Sequence, residues 1–137
     1  MARTSHGFTL LELLVAIGLL AILAGVAAPG FGALAGGWQL RAAALRVAGT
    51  LNRARAGALR GSESWSVRAS GDALLFGPVR GRAQRVAMPA GIFVSVNSGG
   101  VVQFSRTGYA ENATFRLLGD QGERRVVVNQ RGRIRLQ

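Results

Sequence analysis

A chain of 137 residues carries 17 basic side chains, all of them arginine, against 6 acidic ones, for a net charge of +11, with no cysteine and one histidine. Without thiolates, and with a single imidazole, it has no disulfide staple, no cysteine-type zinc site and almost none of the commonest general base. The arginine excess directs attention instead to polyanions: nucleic acid, anionic lipid headgroups or an acidic partner.

The first predicted element is a long apolar helix. After Arg3 and His6 the chain reads Gly7-Phe8-Thr9-Leu10-Leu11-Glu12-Leu13-Leu14-Val15, and beyond Glu12 it carries no further charge until Arg41. About 20 apolar residues at ~1.5 Å each span the ~30 Å hydrocarbon core of a bilayer, so the length suits a membrane. Glu12 is the anomaly, because an ionised carboxylate in hydrocarbon costs several kcal/mol unless a partner offsets it.

The stretch from Gly7 to Val15 resembles the N-terminal signature of type IV pilins and of the pseudopilins of type II secretion. The resemblance implies cleavage after Gly7 by an inner-membrane prepilin peptidase, N-methylation of the new terminus at Phe8, and later extraction of the subunit into a helical filament of other pilins or pseudopilins. Residues 1–7 are then a leader, residues 8–36 a transmembrane and assembly helix, and residues 37–137 a globular domain in the periplasm or outside the cell. Such a cut creates an ammonium on Phe8, four residues before Glu12 on the same helix face. One buried ion pair in a bundle of otherwise apolar helices fixes axial register, so Glu12 is expected to be an assembly residue.

Three plainer readings of this stretch compete. A secretory signal would use Arg3 as its basic end, Leu10 to Ala24 as its apolar region and Val26-Ala27-Ala28 as its cleavage site, but Glu12 is out of place there. A simple membrane anchor explains the length and leaves Glu12 unexplained. A buried core helix is shorter than this run in a small soluble domain.

With the leader removed, His6 goes too. Serines occur at positions 62, 64, 66, 70, 95, 98 and 105, but no base accompanies them. Glu63, Asp72, Glu111, Asp120 and Glu123 are scattered and form no calcium loop. No catalytic set, metal site or cofactor is expected.

Pro29, followed by a Gly- and Ala-rich stretch to Gly37, predicts a kink, a melted turn or a helix end. Helical periodicity resumes from Trp38 to about Leu59, with Leu40, Ala44, Val47, Ala48, Leu51, Ala54, Ala58 and Leu59 forming an apolar stripe. The run Leu51-Asn52-Arg53-Ala54-Arg55-Ala56-Gly57-Ala58 resembles the corresponding helix of the GspH/FimT group of minor pilins and pseudopilins.

Beyond Gly61, short apolar or alternating segments separated by Gly, Asn, Asp and Pro predict an antiparallel meander. The candidate strands are 65–69, 73–76, 84–88, 93–96, 101–104, 114–118, 125–129 and 133–136, with Ser70-Gly71-Asp72 and Asn129-Gln130-Arg131-Gly132 as the best hairpin turns. The fold class is therefore α+β, and the resemblance makes it pilin-like: a long N-terminal transmembrane helix packed on a small antiparallel β-sheet domain. Val101 to Ala110, where an apolar strand with Phe104 leads to a glycine turn at Gly108, and Val126 to Arg135 also resemble the GspH/FimT group.

At the carboxyl end Arg133 and Arg135 flank Ile134, so a strand places both arginines on one face while Ile134 and Leu136 turn to the core. Their Cα atoms, about 6.6 to 7 Å apart, match the spacing of successive phosphates on an extended strand, and Arg131 in the turn adds a third contact. Within the GspH/FimT group, Gly132-Arg133-Ile134-Arg135 matches a Gly-Arg-x-Arg motif associated with DNA binding during DNA uptake. DNA is thus a candidate partner of Arg131, Gly132, Arg133 and Arg135, held by phosphate contacts. An edge strand charged for solubility fits the same residues. A type II secretion pseudopilin that exports protein without binding DNA is the alternative function. Trp65, Phe76, Phe93, Phe104, Tyr109 and Phe115 could stack on bases, but most occupy strand positions that read as core.

Overall fold

The computed structural model describes residues 9–137, apart from the side chains of residues 27–35. Gly7 and Phe8, the expected cleavage and methylation positions, lie outside the described residues, as do Arg3 and His6. The chain divides into two units, Met1–Ala35 and Gly36–Gln137.

Helix α1 (Leu10–Arg60) begins in the first unit. Its apolar side chains there stand exposed, from Leu10 at 80% through Leu14 and Leu20 to Val26 at 79%. Among the described residues no helix is long and apolar enough to cross a membrane. The described apolar stretch, Leu10 to Val26, rises about 25 Å against a ~30 Å hydrocarbon core. The helix is assigned through Pro29, so the chain does not leave it where a break is predicted. Proline removes one backbone donor from the ladder, which need not end a helix.

In the second unit α1 supplies one wall of the core. Leu40, Ala43, Ala44, Val47, Ala48, Leu51, Ala54 and Ala58 are buried, a stripe rich in alanine that joins the core cluster. Leu59, expected in that stripe, is 51% exposed. Thr50 is buried as well, and its hydroxyl donates to the Arg46 carbonyl at 2.9 Å, so the polar group stays satisfied on its own helix.

Eight strands follow: β1 (Trp65–Ser70), β2 (Ala73–Pro78), β3 (Gln84–Ala87), β4 (Phe93–Val96), β5 (Val101–Phe104), β6 (Ala113–Gly119), β7 (Gly122–Val128) and β8 (Ile134–Leu136). All pairings are antiparallel. They form two four-stranded sheets, in the orders β3-β2-β1-β5 and β4-β6-β7-β8, rather than the single meander that the sequence predicts. The departure comes at β4, which crosses to pair with β6, while β5 returns to β1. A two-residue bridge point, Gly71 with Val94, ties the first hairpin turn to β4.

The inward faces of both sheets close on α1. Val67, Leu74, Phe76, Val102 and Phe104 of the first sheet join Val94, Phe115, Leu117, Val126 and Val128 of the second in one cluster with the helix stripe. Each fully buried side chain of this size contributes roughly 1.5–3 kcal/mol by leaving water. Strand β8 is the edge of the second sheet, and there the expected facing fails in part. Ile134 packs against the core, but Leu136, on the edge strand beside Arg41 and Ala44 of α1, remains 45% exposed.

Candidate nucleic-acid interface

The β7–β8 hairpin closes through a three-residue loop, Gln130 to Gly132. The Asn129 N–H donates to the Arg133 carbonyl at 3.1 Å, the Gly132 N–H to the Asn129 carbonyl at 2.8 Å, and the Arg133 N–H to Asn129 Oδ1 at 2.8 Å. Gly132 has φ +68°, the left-handed conformation that such a loop requires and that glycine adopts without strain. Glycine is needed for a second reason: a Cβ there would run into the Gly108 carbonyl and lie 2.9 Å from Arg55 Nε.

The loop after β5 repeats this construction. The Ser105 N–H donates to the Tyr109 carbonyl at 2.8 Å, the Gly108 N–H to the Ser105 carbonyl at 2.9 Å, and the Tyr109 N–H to Ser105 Oγ at 3.2 Å, with Gly108 at φ +81°. The two loops lie side by side, joined by the Ala110 N–H donating to the Gln130 carbonyl at 3.0 Å. Arg55 runs beneath both. One of its terminal nitrogens donates to the Arg131 carbonyl at 3.4 Å, while its Nε is buried without a hydrogen-bond partner. The three segments singled out in the sequence, around Arg55, Gly108 and Gly132, thus meet at one place.

Arg131, Arg133 and Arg135 are all exposed. Among the described residues, the carboxylate pairs are Arg85 with Asp72 at 2.8 Å, and Arg116 and Arg125 with Glu123 at 2.8 and 2.6 Å, so none of the three hairpin arginines is neutralised. Glu123 accepts from Arg116 and then Arg125, and those hydrogen bonds hold its carboxyl down to about 2. Register places Arg135 opposite Val127, next to the Arg125–Gln137 pair, so the outer face of the second sheet carries paired arginines inward of the edge and free ones at it.

The aromatic residues divide. Phe76, Phe104 and Phe115 are buried, and Trp65 is packed against the core with the Arg53 guanidinium 5.1 Å from the neighbouring Phe76 ring. Phe93, on a predicted strand, and Tyr109, in the predicted glycine turn, are each 62% exposed. Only Tyr109 sits on the loop beside the basic hairpin. Alternation alone could not reveal this, because Tyr109 lies in a glycine turn and not on a strand.

At the other end Glu12 has a local role that its isolation in an apolar run conceals. Its Oε2 accepts from the Thr9 N–H and from the Thr9 hydroxyl, both at 2.9 Å, while its own N–H donates to Thr9 Oγ1 at 3.2 Å. This is a reciprocal capping box, Thr9-Leu10-Leu11-Glu12, at the start of α1. The T-x-x-E spacing at the start of an apolar run is the sequence signal of such a box.

Comparison with known proteins bears on both ends. Residues 2–28 match the prokaryotic N-terminal methylation motif. No curated protein matches the chain. Among solved structures, the type IV minor pilin FimU of Pseudomonas aeruginosa superposes with a TM-score of 0.61 at 21% identity, over 72% of this chain and 87% of that one. The chain has a pilin-like fold. This pilin-like protein is also similar to the minor pseudopilin EpsH from the type 2 secretion system of Vibrio cholerae, with a TM-score of 0.60 at 14% identity, over 72% of this chain and 96% of that one. The chain thus joins an N-terminal methylation motif to a pilin-like fold.

Proposed function

We propose that this pilin-like chain is a minor structural subunit of a type IV pilus, anchored once in the inner membrane before assembly, and that its basic C-terminal hairpin binds DNA through phosphates during DNA uptake. The observation that carries the DNA reading is the contrast on the second sheet. Arg116 and Arg125 are occupied by Glu123, whereas Arg131, Arg133 and Arg135 are exposed and unpaired on a hairpin pinned by Gly132. Unpaired guanidiniums on a rigid edge suit a polyanionic backbone, and their contacts position a strand without reading its bases.

Two to four such contacts give a log–log salt slope of roughly −2 to −4 on duplex DNA. Titration of the detergent-solubilised full chain with duplex DNA at several salt concentrations is expected to give that slope. Arg133→Ala with Arg135→Ala should lower its magnitude by about 2 and remove most of the affinity. Unchanged binding in the double mutant eliminates the hairpin as the site.

A second reading rests on the similarity to EpsH, whose TM-score is almost the same as that of FimU. In that reading the chain is a type II secretion pseudopilin, and its free arginines face acidic surfaces of neighbouring subunits or exported proteins. In either case the apolar helix is the assembly element and Glu12 its polar contact, with other pilins or pseudopilins as partners and a prepilin peptidase acting at Gly7 and Phe8.

A further inference from the structure

The two glycine loops have the same hydrogen-bond plan, and the plan puts corresponding residues in corresponding places. In each, the first residue's side chain, Asn129 Oδ1 or Ser105 Oγ, accepts from the N–H of the fifth. In each, the fourth is a left-handed glycine, Gly132 or Gly108. The fifth residue is Arg133 in one loop and Tyr109 in the other, and both are exposed. Each loop also carries an exposed arginine within its turn, Arg131 or Arg106. Because the loops touch through Gly108 and Gly132 and are tied by the Ala110–Gln130 hydrogen bond, the pair presents three arginines and one aromatic ring on adjoining turns.

We propose that the paired loops form one site for single-stranded nucleic acid, in which Tyr109 stacks on a base while Arg106, Arg131 and Arg133 meet the neighbouring phosphates. The inference rests on the DNA reading of the hairpin and specifies the form of DNA. An exposed ring beside arginines has the composition of single-strand sites, where stacking tolerates any base because every base has a π-face. A duplex keeps its bases inside the stack and can use only the arginines. The backbone that carries the ring is held: Tyr109 makes two of the three bonds that close its loop, and Ser105 Oγ is further fixed by Thr107 Oγ1 at 2.8 Å.

The test uses the detergent-solubilised full chain with a labelled oligonucleotide of about 20 thymidines and a labelled duplex of about the same length. Tyr109→Ala is expected to weaken single-strand binding about 5- to 150-fold, the range for loss of one stacked base, and duplex binding less than about 2-fold. Tyr109→Phe keeps the ring and should bind both as the unmodified chain does. Equal small effects on the two ligands, or a Tyr109→Phe defect as large as that of Tyr109→Ala, overturn the proposal. The Arg133→Ala, Arg135→Ala protein separates the two levels. If it too binds normally, the DNA reading itself falls; if it binds poorly while Tyr109→Ala does not, only the stacking role falls. Normal binding of Tyr109→Ala combined with its loss from filaments assigns the ring to a subunit contact and likewise overturns the proposal.

Discussion

Gly132 carries two requirements at once, and they can be separated. Its φ of +68° costs a non-glycine residue about 1–2 kcal/mol, and its missing side chain leaves room for the Gly108 carbonyl and for Arg55 Nε. Gly71 has almost the same φ, +58°, with nothing within 4 Å of where a Cβ would stand. Gly71→Ala is therefore expected to cost only the conformational part, about 1 kcal/mol or ~4–8 °C in the melting temperature of a domain this size. Gly132→Ala should cost at least about twice that and also loosen the loop that carries Arg131 and Arg133. Paired thermal melts check this, and equal losses would mean that the contact with Gly108 relaxes freely. The electrostatics of the neighbouring residues point the same way. Because Glu123 titrates at about 2 in the fold, below its ordinary value of 4.5, its ion pairs are fully formed above pH 4.5 and are lost only as pH falls toward 2. Arg116 and Arg125 are thus occupied under any working condition, and Arg135 on the edge strand is left free.

At the scale of elements, the start of α1 has two explanations for one carboxylate. The capping box with Thr9 stabilises the first turn whatever surrounds the helix, whereas the proposed assembly role requires the charge, to pair with an ammonium on Phe8. Glu12→Gln distinguishes them, since glutamine caps as glutamate does but cannot form the ion pair. Incorporation into filaments should be lost in Glu12→Gln as fully as in Glu12→Ala, with membrane insertion retained in both. Normal incorporation of the glutamine variant would leave capping as the whole role. The remaining elements differ in how far they could be read from the chain. Periodicity located the helix stripe from Leu40 to Ala58 and all eight strands, because each is a local pattern of burial. It could not divide the strands between two sheets, since β5 lies between β4 and β6 in the chain and no turn joins the two paired strands. Of the candidate site, Gly132, Arg133 and Arg135 were visible as a motif. The second loop was visible only as a glycine turn, because the contact of Gly108 with Gly132 is made across 24 positions of the chain, counting from 108 to 132.

The molecule as a whole is two units with opposite surface chemistry. Residues of the first expose leucine, isoleucine and valine from Leu10 to Val26, far more apolar surface than a soluble monomer leaves open. The second unit has its own core and presents free arginines at the β8 edge. An uncovered apolar helix needs lipid or other helices, and residues 2–28 match the N-terminal methylation motif; in the proposed function the cover is lipid before processing and neighbouring subunits afterwards. In the proposed function the chain is processed as a prepilin and then assembled. The most direct measurement is mass spectrometry of the N-terminal peptide of the mature protein isolated from its own cells. A peptide that begins at Phe8 and carries one added methyl group is the predicted result. A peptide that begins at Pro29, as cleavage of a secretory signal would leave it, contradicts the account.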